Sequence, residues 1–196
     1  MDDEAAKPVS PPPKLLAAVG ISVMALTALA EKLMGRKLWG VGGKAGFWSS
    51  GINSEHNSQY LLDPYSVTHI LHGILFYGLL RLAIPKRPVP VRMLLALILE
   101  SAWEILENSD FIIQRYRAQT IALHYYGDSI VNSMSDIVMA MLGFTLAWRL
   151  PVPVVVGLAL LFEAGMALAV RDNLTLNVIM LIHPVQAIRA WQEYKF

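Results

Sequence analysis

Cysteine is absent from this chain of 196 residues. Its absence excludes disulfides, thiolate nucleophiles and thiolate-bound metals, and it leaves the compartment open. Charge is scarce as well: Asp, Glu, Lys and Arg make up 16% of the residues, against about 25% in soluble domains. The formal net charge is +1 and no basic stripe is present, which excludes a nucleic-acid partner. Also missing are a nucleophile elbow, a HExxH or HxxxH pair, and any internal repeat of the kind many transporters carry.

In place of charge the chain carries apolar residues, 55% of the total with a mean hydropathy of +0.47. They gather in blocks near bilayer length, since a span takes about 17–25 mostly apolar residues. This predicts an all-α, polytopic transmembrane helix bundle with the lipid bilayer as its surroundings. Residues 1–14, with four prolines and mixed charge, read as a disordered tail, and 15–196 as one transmembrane domain. Five spans are expected, at about 15–34, 67–84, 91–107, 129–150 and 152–170. A sixth over 174–192, kinked at Pro184, stays open against an interfacial helix. Ala28-Leu29-Ala30 resembles a signal-peptidase site, but apolar character runs on to Leu33-Met34, so a retained first helix is expected. The short loops near Lys86, Arg87, Arg92 and Arg149 are dense in positive charge. By the positive-inside rule this puts the amino terminus in the cytoplasm of a cell inner membrane.

On that topology the ionisable residues converge on the outer half. The second span enters with Asp63, Tyr65, Ser66, His69 and His72, and the third leaves with Glu100, Glu104, Glu107 and Asn108. The fourth begins in GDSIVNSMSD, residues 127–136, a polar run that continues into an apolar helix without a turn signal. At 3.6 residues per turn, Glu100, Glu104 and Glu107 share one stripe; so do Asp128, Asn132 and Asp136, while His69 and His72 are one turn apart. Gly73 beside them permits close helix approach. Acids inside a span cost roughly 2.5–3.5 kcal/mol each on insertion scales, so three such stripes predict one outward-facing cavity. Asp128 or Ser129 suits a helix cap; Asn132 and Asp136 lie too deep for that. Glu163, alone in its span, reads equally as a buried structural partner and as a catalytic group; His183 beside Pro184 reads as a satisfied interfacial histidine, and Trp103 as a packing or belt residue.

The candidate catalytic set is His69, His72, Glu100, Glu104, Asp128, Asn132 and Asp136, with His69 as base oriented by Glu104 or Asp128, and Glu107, Arg115 and Arg117 contacting substrate. Paired carboxylates with imidazoles also suit a divalent metal, Zn²⁺ or Mn²⁺ by ligand type. A cavity at headgroup depth fits a lipid or lipid-linked substrate, whose phosphate Arg115 and Arg117 are suited to meet. Transport is disfavoured by the apolar inner half. A non-enzymatic factor whose polar cluster only holds the bundle together is the other reading.

The strings MGRKLWG, NSQYLLDPYSVTHILHGILFY, ESAWEILENSDFIIQRYR and GDSIVNSMSD resemble a mainly alphaproteobacterial family of uncharacterised multi-pass inner-membrane proteins. More loosely, Asp63, His69, Glu100 or Glu104, Asp128 and Asn132 resemble the pattern of VanZ-like membrane proteins, although Pro64 stands where those chains commonly have Lys. That second resemblance implies a role in the cell envelope.

Overall fold

A computed structural model describes residues 11–52, 54–122 and 124–193. Most of the expected tail lies outside these, and Pro13 and Lys14 belong to the first helix. Eight α-helices follow in order: α1 Pro13–Leu33, α2 Ser66–Ala83, α3 Val89–Glu107, α4 Asp110–Gln119, α5 Ile130–Arg149, α6 Val152–Val170, α7 Leu174–Ile182 and α8 Gln186–Glu193. Among the described residues there is no strand, and pairing is confined to one bridge between Trp48 and Leu62.

Local chemistry sets the boundaries. Proline stands at the start of α1, α3 and α6, where its missing N–H costs no helical hydrogen bond. α1 stops at Gly35, whose φ of +87° lets the Arg36 amide return to Glu31 O at 2.9 Å. Ser109, Ser129 and Asn173 cap α4, α5 and α7, each side chain accepting from a first-turn amide. The loop between α1 and α2 folds over the start of α5. There Ser58 O accepts from Ser129 N, Lys37 O from Ile130 N and Leu38 O from Val131 N, at 2.9–3.2 Å. Amides that would need water in an isolated helix are satisfied by this loop.

Four helices, α1, α2, α5 and α6, are long and apolar enough to cross a membrane. This corrects the expectation of five or six spans. α3 has 19 residues, enough length, but Arg92, Glu100, Glu104 and Glu107 make it too polar to qualify, and the first three are buried against its neighbours. The segment over 174–192 breaks at His183 into α7 and α8, of 9 and 8 residues, each too short to span. The connection between α3 and α5 contains a further short helix, α4.

α2 packs most extensively on α5, with α3 against α1, α5 and α2. The pairing of α2 and α5 is reciprocal: Gly73 lies on the Ala140 carbonyl and Gly143 on the Ile70 carbonyl, the small-residue contact that brings membrane helices close. One end of this pair holds an apolar core of Tyr77, Ala96, Phe144 and Ala147, with Arg81 and Arg92 over the Tyr77 ring. Outward faces are apolar, as in α1 and α6, where Ile21 is 71% and Leu168 85% exposed. The other end of the pair is polar.

Candidate functional site

Three helices build the polar end, and the helical phase of the sequence carries over. From α2, His69 and His72 both approach Glu100 of α3: His69 Nδ1 is 2.6 Å from Glu100 Oε1, and His72 Nδ1 is 3.1 Å from each Glu100 oxygen. One turn along, Glu104 Oε1 lies 3.3 Å from His69 Nδ1, while Asp136 Oδ2 of α5 lies 3.8 Å from His69 Nε2. One imidazole thus faces three carboxylates. Glu100 and Glu104 are fully buried and Asp136 nearly so.

Around this centre the acids divide by how well they are satisfied. Asp63 accepts from the Ser58 and Tyr65 amides at 2.7 and 2.8 Å, and burial still raises its pKa. Its amide donates to Ser66 Oγ, whose hydroxyl donates to Asp136 Oδ1 at 2.9 Å. Asp128 accepts from Asn108 Nδ2 and the Tyr125 hydroxyl, at 3.0 and 2.9 Å, and its amide donates back to Asn108 Oδ1 at 2.7 Å. Burial pushes the Asp128 carboxyl up to about 6, and burial together with Asp128 holds the Tyr125 hydroxyl well above its usual value. Glu104 is less well satisfied: neither of its carboxylate oxygens has a hydrogen-bond partner among the described residues, and Oε1 has only the longer, 3.3 Å ion-pair contact to His69 Nδ1.

A cavity of about 460 Å³ opens over this floor. His69, His72, Asp63, Glu107, Asp128 and Asp136 line its polar side; Phe76, Leu99, Trp103, Leu106, Val178 and Leu181 line the other. Leu99 and Leu106 are each 46% exposed, so the apolar wall continues onto the outer face of the bundle.

Of the residues singled out from sequence, His69, His72, Glu100, Glu104, Glu107, Asp128 and Asp136 are brought together. Asn132 is buried on the same helix, but its amide nitrogen has no hydrogen-bond partner among the described residues and it does not line the cavity. Arg115 and Arg117 stand apart from it. Arg115 donates to the Leu181 and Ile182 carbonyls, closing the C-terminus of α7, and Arg117 stacks on Tyr126 at 4.4 Å. Glu163 receives the Leu174 and Thr175 amides at 3.0 and 3.2 Å, a structural cap on α7.

Sequence reasoning placed Asn108 at the outer end of the third span without giving it a role, and passed over Glu31. Asn108 holds Asp128, Ser133 and the Glu104 carbonyl at once. Glu31, fully buried near the end of α1, lies within electrostatic reach of Asp128 and Arg36. A lone acid closing an apolar block was the available sign.

Several groupings here have metal-ligand character. His69 with His72 and Glu100, His69 with Glu104 and Asp136, and Glu104 with Glu107 and Asp128 each offer three ligand atoms within 4.8 Å of one another.

Comparison with known proteins adds kinship without an activity. The family described as "Protein of unknown function (DUF2585)" matches residues 31–194. A UPF0314 protein of Rhizobium etli strain CIAT 652 is 50% identical over 172 residues, 88% of each chain. One from Brucella anthropi is 43% identical over 190 residues, covering 97% of this chain and 96% of its own. One from Sphingopyxis alaskensis is 45% identical over 174 residues, 89% of this chain and 93% of its own. No solved structure matches.

Proposed function

The chain belongs to the DUF2585 family, uncharacterised proteins of alphaproteobacteria, and we propose that it is a membrane-embedded hydrolase or transferase acting on a lipid-linked substrate of the cell envelope. One observation carries this reading: a single cavity joins a buried carboxylate–imidazole floor to an apolar wall that reaches the outer face of the bundle at Leu99 and Leu106. An amphiphile is the substrate class that uses both halves, its chain along the wall and its reacting head on the floor.

His72 lines the cavity and is held by Glu100. It takes the proton of a water or hydroxyl nucleophile as that oxygen bonds to the electrophilic centre, and returns it to the leaving oxygen as the old bond breaks. The basic end, at Arg81 and Arg92, faces the cytoplasm of the inner membrane and the cavity faces outward, in keeping with the positive-inside rule. Transport is the weaker reading, because Tyr77, Ala96 and Phe144 fill the bundle beyond the floor. The loose resemblance to VanZ-like proteins in Asp63, His69, Glu100 or Glu104, Asp128 and Asn132 is in keeping with the same envelope setting.

The test is lipid and envelope profiling of a deletion strain. The wild-type gene is expected to restore the profile, while His72→Gln, Glu104→Gln and Asp128→Asn, present at normal membrane levels, leave an unprocessed lipid-linked species. Full restoration by all three variants overturns the enzyme in favour of a bundle-holding polar cluster.

A further inference from the structure

Glu104 belongs to two of the three ligand groups. It joins His69 and Asp136 in one, Glu107 and Asp128 in the other. Ligands of one divalent ion stand about 2.0–2.2 Å from it, so two of them are at most about 4.4 Å apart. The present separations, within 4.8 Å, need little contraction.

Three features of the surroundings point to cations. Glu104 is fully buried and neither of its oxygens has a hydrogen-bond partner among the described residues. The other members are already oriented: His69 turns Nδ1 to Glu100 at 2.6 Å and to Glu104 at 3.3 Å, with Nε2 on the Asp136 side, and Asn108 with Tyr125 fixes Asp128. A carboxylate behind a histidine in this order is the usual outer support of a bound metal. Charge gives the third. The carboxylates of the two groups are Glu104, Glu107, Asp128 and Asp136, four negative charges that two divalent ions would balance.

We infer that the cavity floor binds two divalent cations, with Glu104 bridging them through one oxygen each. One ion is held by His69 and Asp136, the other by Glu107 and Asp128. Oxygen-rich coordination with a single imidazole suits Mn²⁺ or Zn²⁺. Two ions about 3.5–4 Å apart stabilise the attacking and leaving oxygens of a displacement at phosphorus, which narrows the substrate to a lipid-linked phosphoester. This last step rests on the proposed function; the cation site does not.

The full chain, purified in detergent, is stripped with chelator, re-equilibrated with Mn²⁺ alone, and read by elemental analysis and electron paramagnetic resonance. About two ions per chain with an exchange-coupled spectrum are expected. Glu107→Gln should keep about one ion with an uncoupled spectrum, Glu104→Gln fewer than one, and His183→Ala, away from the cluster, the full load. Because glutamine removes a buried charge, stripped Glu104→Gln should melt no lower than stripped wild type, which separates lost binding from lost fold. Wild type holding fewer than two ions, an uncoupled spectrum, or an unchanged load in Glu104→Gln overturns the inference. Full metal loading in a protein whose deletion leaves lipids unchanged would instead overturn the enzymatic proposal alone.

Discussion

Replacing Gly73 by alanine tests whether the contact of α2 with α5 sets the geometry of the floor. A Cβ at 73 would stand 1.8 Å from Ala140 O and 2.6 Å from Phe144 N. Both are backbone atoms of a helix, so neither can swing aside. Carbon–oxygen contacts settle at about 3.3 Å, which requires the two helices to part by about 1.5 Å. Ser66 Oγ is now 2.9 Å from Asp136 Oδ1, and a separation of that size takes the pair beyond hydrogen-bond range. Overpacking costs about 1–3 kcal/mol, and the lost bond about 1 kcal/mol more. At 2–4 °C per kcal/mol for a chain of this size, a total near 3 kcal/mol lowers Tm by about 6–12 °C. Gly78 on the same helix is the internal control. Nothing lies within 4 Å of a Cβ there, so Gly78→Ala should leave Tm level or slightly raised, as helix propensity predicts. Thermal melts of both variants in one detergent, with Mn²⁺ loading alongside, give the comparison. If Gly73→Ala melts with Gly78→Ala and loads Mn²⁺ like wild type, the close contact is not what assembles the floor.

Two further outcomes follow from the C-terminal region. Asp172 is buried and accepts from Tyr65, Asn177 and Gln192 side chains at 3.1–3.3 Å; burial nonetheless raises its pKa. An acid whose folded pKa is raised stabilises most below its unfolded value, near pH 4, and loses that contribution as pH climbs through the raised one. Proteolysis of the α8 segment should therefore quicken as pH rises above the unfolded value in metal-free protein, and Asp172→Asn should flatten the profile; a profile unchanged by that substitution refutes the assignment. Glu163→Gln weakens the cap on α7 and should cost about 1 kcal/mol of stability while restoring the lipid profile fully in the deletion strain. A null phenotype there would move Glu163 into the working site.

Periodicity made the three polar stripes legible, because Glu100, Glu104 and Glu107 on α3 and His69 and His72 on α2 keep their relative phase in any α-helix. The number of spans was less so. Apolar length alone cannot distinguish a lipid-facing helix from one such as α3, whose polar face is covered by neighbours. The long connections were least legible. That the loop after α1 supplies the carbonyls for Ser129, Ile130 and Val131 is a product of tertiary closure, and nothing in the local sequence encodes it. Arg115 illustrates the same limit. As a loop arginine it was suited to phosphate, but the break of the last apolar block at His183 ends α7 and frees the carbonyls of Leu181 and Ile182, which it then takes.

The distribution of buried charge bears on why the floor should need a ligand at all. At the basic end the bundle is held by Phe144, Ala96 and Tyr77, and its cations rest on an aromatic face. At the acidic end the side chains most deeply buried include Glu31, Glu100, Glu104 and Asp63, yet only Glu100 has two imidazoles beside it. Burying a surplus of carboxylates is unfavourable unless protons or cations offset it. Protonation can do so in the free protein, but a purely structural cluster would reach the same balance with amides at no electrostatic cost. Retaining acids where amides would be more stable is what a site that exchanges protons for metal requires. The stripped Glu104→Gln protein should accordingly be the more stable one and the one without cations.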